Sequence, residues 1–225
     1  MIKNLLRKFT NPILATDVII FSIIQGELCV LLTESKKKEF HGMMSFPGGL
    51  VKYKEELETA AERHLKEKTG NSNIYLEQLY TFSDPTRDPG GHIVSTAYFA
   101  LLPENKVKLE KGKDLKSLGW YPVSKLPKLA YDHKKMIDYA KQRLAWKLEY
   151  SNVVYSLLPE IFTLSELQDI YEIILHKEFD KRNFRKKLMS LGILKKLGKK
   201  REGDANRPAE LFSFKAKKFE IVTMI

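Results

Sequence analysis

The stretch from Phe46 to Gly70 restricts the fold more than any other part of this chain. Phe46-Pro47-Gly48-Gly49 marks a tight passage of backbone, because consecutive glycines tolerate a close approach that a side chain would block. Leu57, Ala60, Ala61 and Leu65 then recur at helical spacing, and Gly70 follows where a helix needs a left-handed cap. The spacing predicts a helix over residues 55–68 with one apolar stripe. β-rich runs surround it. Residues 13–24 and 27–33, joined by Gln25-Gly26, read as a hairpin, and 74–82, 92–102 and 118–122 as further strands. A second helix is predicted over 134–149, with Met136, Ile137, Ala140, Leu144 and Leu148 on one face.

Gly49, Glu55, Arg63, Leu65, Glu67 and Gly70 fall on the spacing G-x5-E-x7-R-E-U-x-E-E-x-G-U, where U is bulky and aliphatic. The segment thus resembles a Nudix box, although Asn71 stands at the last aliphatic position. Two departures bear on chemistry. Positions 64, 67 and 68 share one helix face, and in active family members all three are glutamates that gather a divalent metal against a pyrophosphate. Here they are His64, Glu67 and Lys68. An ammonium would stand where the resemblance implies Mg2+. At about 4 Å and an effective dielectric near 20, two like unit charges repel by about 4 kcal/mol, and a divalent ion doubles this. Glu55, Glu62 and Glu67 remain as residual candidates for a weakly held Mg2+, and no cofactor is required. The expectation is a helix that keeps its place in the fold without efficient hydrolysis.

Residues 86–95, Thr-Arg-Asp-Pro-Gly-Gly-His-Ile-Val-Ser, look like the R-D-P-x-G-x-x-V-S segment of the ADP-ribose-type branch of Nudix proteins. Arg87 offers a planar fork of donors for phosphate or vicinal hydroxyls, and Asp88 can accept from sugar hydroxyls. Gly48, Gly49, Arg87, Asp88 and His92 are the candidate ligand residues. A plain glycine-rich turn, with Arg87 and Asp88 pairing across it, is the alternative. His41 and His133 carry no assigned role.

Charge divides the chain. The net excess of +11 gathers in residues 181–201, which hold Lys181, Arg182, Arg185, Lys186, Lys187, Lys195, Lys196, Lys199, Lys200 and Arg201 without an intervening acid. Such a field suits a polyanion. Patterning changes near residue 150, so domains are expected over 1–149 and 150–225, the second running helix, helix, helix, hairpin. Thr163 with Glu166 three residues on forms a capping box, and Asp180 can cap a basic helix over 181–191 that buries Phe184, Leu188 and Leu191 and stops at Gly192. This order reads as a helix-turn-helix. Arg182 and Asn183 can read base edges, the lysines Lys181, Lys186 and Lys187 neutralise phosphates, and Arg185 is a further DNA-binding candidate. Residues 193–197 and 209–214 would flank a wing whose tip carries Gly198, Lys199, Lys200, Arg201, Gly203 and Arg207. A solvated basic face on a partner-binding bundle is the competing view.

Together the halves resemble the Nudix-related transcriptional regulators of bacteria, marked also by Tyr131-Asp132-His133, Leu158-Pro159, Phe162-Thr163-Leu164, Lys181-Arg182-Asn183-Phe184-Arg185 and Arg207-Pro208-Ala209 with Leu211-Phe212. The resemblance implies an α+β chain: a Nudix α/β/α sandwich followed by a winged helix-turn-helix. It implies a homodimer on a palindromic operator in double-stranded DNA, commonly as a repressor. Its small effector would be ADP-ribose, linked to NAD metabolism, or a sugar such as arabinose, linked to sugar metabolism. A pyrophosphohydrolase of ADP-ribose or a sugar nucleotide, or a bifunctional protein, is the alternative. One cysteine, Cys29, excludes an internal disulfide scaffold, and no apolar run reaches a membrane span, so a cytoplasmic protein is expected.

Overall fold

The computed structural model describes residues 11–72, 74–106, 118–201, 208–216 and 218–223. Its first half is built on a mixed, seven-stranded sheet. Strand β1 (Ile13–Ile24) turns through Gln25 and Gly26, both at positive φ, into β2 (Glu27–Glu34). This mirror-type two-residue turn matches the twist of the strands it joins. β3 (Met44–Ser45) pairs with β2, and β4 (Gly48–Leu50) pairs with β1. Helix α1 (Leu57–Thr69) follows, then β5 (Tyr75–Phe82), β6 (Ile93–Leu101) and β7 (Gly119–Pro122). β6 lies parallel to β1 and antiparallel to β5, which gives the order β3-β2-β1-β6-β5, with β7 on β2.

Alternation along β1 makes the layers. Val18 and Ile20 point to one face with Leu31, Tyr98 and Ala100, and there Ala61 and Leu65 of α1 cover them. Ile19 and Phe21 point to the other with Val30, Leu32 and Phe99, covered by Met136, Ile137, Ala140 and Leu144 of helix α2 (His133–Tyr150). A strand buried on both faces reads as a near-continuous apolar run, as Val18–Phe21 of β1 does. The sandwich expected from the resemblance is therefore present, with α1 starting two residues later than the spacing predicts.

The second half differs from the expected order of three helices and a hairpin. The described residues there hold a 3-10 turn (Val153–Ser156), a two-residue strand β8 (Phe162–Thr163) and two α-helices, α3 (Leu164–Leu175) and α4 (Lys181–Ser190). Pro159 lacks the N–H a helix would use, and the pairing of Phe162 and Thr163 with the later hairpin takes those residues into a sheet, so no third helix forms there. β9 (Leu194–Arg201) and β10 (Ala209–Phe214) complete a three-stranded sheet in the order β8-β10-β9. Leu191 is only partly buried, unlike Phe184 and Leu188.

The wing also needs correction. Gly198, Lys199, Lys200 and Arg201 belong to β9 and not to the tip. Gly198 has φ 67, and the pairing skips between Glu210 and Phe212, so the glycine sits in a bulge of a continuing strand. Gly203 and Arg207 lie outside the described residues.

Candidate functional site

Where β1, β3 and β4 meet the 86–92 loop and the start of α2, the fold encloses a cavity of about 340 Å3. Gly48, Gly49, Arg87 and Asp88 line it, with Asp17, Lys37, Lys68, Tyr131 and His133. The two glycines are sterically required. A Cβ on Gly48 would come within 2.6 Å of Asp17 Oδ1, and one on Gly49 within 2.9 Å of His64 Cε1. β4 can therefore lie directly on β1 with the His64 ring beneath it. His92 is exposed and outside the lining, so it does not join the other expected ligand residues.

Arg87 and Asp88 are not free arms reaching for a ligand. The Arg87 side chain is 3% exposed and donates to Asp132 through Nε at 3.1 Å and Nη2 at 2.7 Å. Its Nη2 also stands 3.6 Å from Asp17 Oδ2, which accepts from Ser95 Oγ at 2.6 Å. Asp88 Oδ1 accepts from Lys37 Nζ at 2.5 Å and from Gly90 N–H at 2.7 Å. Lys37 in turn lies over the Tyr131 ring. They do not pair across the turn with each other; each is held by a residue distant in sequence.

His133 ties this network to the chain path. Its Nδ1 accepts the Phe46 N–H at 3.1 Å, its ring stacks on Phe46 at 4.7 Å, and its Nε2 stands 3.6 Å from Asp17 Oδ1. Burial lowers its affinity for a proton; Asp17 opposes this, Arg87 assists and Asp132 opposes. The neutral ring with its hydrogen on Nε2 fits both contacts.

The Nudix-box face is neutralised from within. Arg63 grips Glu55 with Nε and Nη2, each at 2.7 Å, and Glu55 also accepts from Lys52 N–H at 2.8 Å. The Arg63 hydrogen bonds, foremost, hold the Glu55 carboxyl down at about 2. Glu67 stands 3.6 Å from both Arg63 Nη1 and His64 Nδ1. His64 is buried under Gly49, and burial, aided by Arg63, disfavours its protonation. Glu62 is exposed and outside the cavity lining. Among the described residues no three His, Cys, Asp or Glu side chains stand together as metal ligands. With Glu55 already paired, His64 covered and Lys68 in the cavity wall, the side chains present do not fit a divalent ion.

The second candidate site is a surface. α4 buries Phe184 and Leu188, and Asp180 Oδ1 caps it through Asn183 N–H at 2.8 Å. This turns Lys181, Arg182, Asn183, Arg185, Lys186 and Lys187 to solvent. Arg185 also reaches Ser165 Oγ at 3.2 Å. Lys199 and Lys200 are exposed on β9, whereas Arg201 is drawn to Glu166 Oε1 at 2.5 Å. The turn before α4 is set by Gln168, whose Nε2 donates to Phe179 O at 2.9 Å and to Glu172 Oε1 at 2.8 Å. Glu172 Oε1 also accepts from Phe179 N–H at 2.9 Å.

One helix joins the two sites. α2 begins in the cavity wall at His133, and at its far end Leu144 and Leu148 belong to the same buried apolar cluster as Val153, Leu157, Phe162, Leu167 and Phe212. Its Lys147 is buried against Glu77 of β5 at 2.5 Å, with the Phe219 ring 4.2 Å from the ammonium. Asn152 then holds the returning chain through Lys218 O at 3.0 Å and Glu220 N–H at 2.8 Å. Asp17, Lys37, Tyr131 and His133 were missed as cavity residues by sequence reasoning, and Asp132 as the partner of Arg87 behind the lining. Tyr131-Asp132-His133 did stand out as a family marker, and the charge of Asp17 inside the apolar run 13–24 is the signal that could have found it.

A family model described as NUDIX domain matches residues 13–140, and one described as NrtR DNA-binding winged helix domain matches residues 154–214. The ADPR responsive transcriptional repressor NtrR of Acinetobacter baylyi is 34% identical over 210 residues, 92% of this chain and 83% of that protein. Shewanella oneidensis NrtR complexed with a 27mer DNA superposes with a TM-score of 0.80 at 33% identity, over 90% of this chain and 93% of that one. The NUDIX domain of Shewanella NrtR complexed with ADP ribose gives 0.53 at 31% identity, over 61% of this chain and 92% of that one.

Proposed function

Since this chain belongs to the NrtR family of Nudix proteins with a C-terminal DNA-binding winged helix, we propose that it is a transcriptional repressor whose Nudix cavity takes ADP-ribose and whose winged helix holds operator DNA. The observation that carries this reading is the course of α2, which starts in the wall of the cavity and ends in the core of the winged helix. A ligand that disturbs Asp17, Arg87 or Lys37 acts on groups that hold the first turn of that helix through Asp132 and Tyr131.

α4 enters the major groove, with Arg182 and Asn183 at base edges and Lys181, Arg185, Lys186 and Lys187 toward phosphates. Lys199 and Lys200 follow the backbone along the wing. Two copies on a palindromic site would place their α4 helices one helical turn apart, and effector-driven movement of α2 would spoil that spacing. The substitutions at His64 and Lys68 support sensing of ADP-ribose without its cleavage.

The test uses the full chain with sheared genomic DNA at physiological salt, with and without ADP-ribose. A few recovered fragments sharing an inverted repeat, and released by ADP-ribose, are expected. Uniform recovery would remove the sequence-specific reading, and release by arabinose but not by ADP-ribose would replace the effector. Product formation from ADP-ribose with Mg2+ would favour a hydrolase instead.

A further inference from the structure

The cations of the cavity are unequally placed. Arg87 is committed to Asp132 and Lys37 to Asp88, each through a contact of 2.7 Å or less. Lys68 is different. It sits on the cavity side of α1, half-buried, in the same wall as Gly48, Gly49 and Asp17. Among the described residues no ion pair or hydrogen bond holds its ammonium. A partly desolvated ammonium without a counter-charge is costly, and an anion entering the cavity would relieve that cost.

The carboxylates of its own helix face do not supply the counter-charge. Glu55 is gripped by Arg63, and Glu67 faces Arg63 and His64 at 3.6 Å. His64 itself is covered by Gly49, with Nε2 buried and unpartnered among the described residues. An α1 face that would need three carboxylates to hold a divalent ion offers instead one free positive charge, supplemented by the exposed Lys36 at the rim.

We propose that Lys68 takes the place of the divalent ion, pairing directly with the diphosphate of the effector, so that this chain binds its ligand without metal. The inference rests on the ADP-ribose reading above and deepens it. A lysine is suited to this role, because a flexible point charge with three donors can follow a diphosphate as it settles. It also discriminates. A nucleoside or free pentose lacks the charge that Lys68 would meet, so the cavity would select diphosphates over either.

Calorimetry on the full-length protein tests this with ADP-ribose in EDTA and again in Mg2+. Wild-type affinity should agree between the two within about twofold. Lys68→Gln should weaken binding by roughly tenfold to a hundredfold in both buffers, the loss expected for a charged hydrogen bond. Lys68→Glu should abolish binding in EDTA and recover part of it in Mg2+. Retained operator binding by both variants would show that they are folded. Loss of wild-type binding in EDTA, which needs no variant, would overturn the proposal, as would Lys68→Gln binding like wild type. Inorganic pyrophosphate separates the two readings. Lys68-dependent binding of pyrophosphate without binding of ADP-ribose would sink the effector and spare Lys68; binding of neither would sink both.

Discussion

His133 must be neutral to do what it does. Its Nδ1 accepts the Phe46 N–H, and a proton there would set two hydrogens against each other in a buried space. Burial accordingly lowers its proton affinity, and that of His64 as well. An unfolded histidine takes up a proton near pH 6.5, so the unfolded chain binds more protons than the folded one as the pH falls below about 6.5. Stability should thus be full above that value and decline on acidification toward the lowered folded value, by up to about 1.4 kcal/mol per pH unit for each histidine. Glu55, held down at about 2 foremost by its Arg63 hydrogen bonds, takes up its proton only in the more acidic range, below its ordinary value. Urea unfolding at a series of pH values should show the decline, and His133→Gln, whose amide oxygen can accept from Phe46, should flatten it. A curve level between about pH 7.5 and 5.5 would contradict the assignment. Little of this was legible in sequence. Arg87 and Asp88 read as a ligand-binding donor and acceptor because their chemistry suits a sugar phosphate, while the partners that occupy them, Asp132 and Lys37, lie 45 and 51 residues away.

At the scale of elements, local signals were the legible ones. The Gln25-Gly26 turn, the Gly70 cap, the Thr163–Glu166 capping box and the Asp180 cap all lie within a few residues of what they control. Gly198 misled, because a glycine inside a basic stretch reads equally as a turn or a bulge, and only the pairing with β10 decides. That pairing has a consequence at Glu166. Its Oε2 accepts the Thr163 N–H at 2.7 Å, and its Oε1 holds Arg201 at 2.5 Å, so one side chain caps α3 and fastens the wing. The two roles should separate by substitution. Glu166→Gln keeps an acceptor for Thr163 and loses only an ion pair that is about 40% exposed, which is worth less than about 1 kcal/mol. Thr163→Ala removes the reciprocal cap at a cost of about 1 kcal/mol, and Glu166→Ala, losing both contacts, should exceed either. Denaturant melts of the full chain would rank the three, and a Glu166→Gln loss above that of Thr163→Ala would mean the ion pair dominates. In DNA binding Glu166→Gln and Glu166→Ala should both exceed Thr163→Ala, since each frees Arg201 and adds a mobile cation to the wing.

Across the whole molecule, the change of pattern near residue 150 marks a change of architecture without a break in packing. Buried apolar residues run from Phe21 and Leu101 through Leu144 and Leu148 into Val153, Leu157, Tyr171 and Phe212. Sequence patterning could not show this, because each half alone accounts for its own helical and strand periodicities. A helix of 18 residues spans about 27 Å, so a small tilt at His133 becomes a larger displacement at the winged helix. Such coupling is a free energy between two sites and must be reciprocal. If ADP-ribose weakens operator binding by some factor, operator DNA must weaken ADP-ribose binding by the same factor, about 5-fold to 150-fold for typical couplings. Asp132 is the residue on which to test the route. It contacts Arg87, it precedes α2, and it is outside the cavity lining. Asp132→Asn preserves its size and removes the charge that Arg87 holds. The variant should therefore bind operator like wild type when effector-free, yet show a smaller coupling factor measured from either side. Titrating ADP-ribose into free protein and into the operator complex gives both numbers. Unequal factors in the two directions would mean that a third species is present. An unchanged factor in Asp132→Asn would move the coupling away from the Arg87 fork and toward the Lys37–Tyr131 side of the cavity.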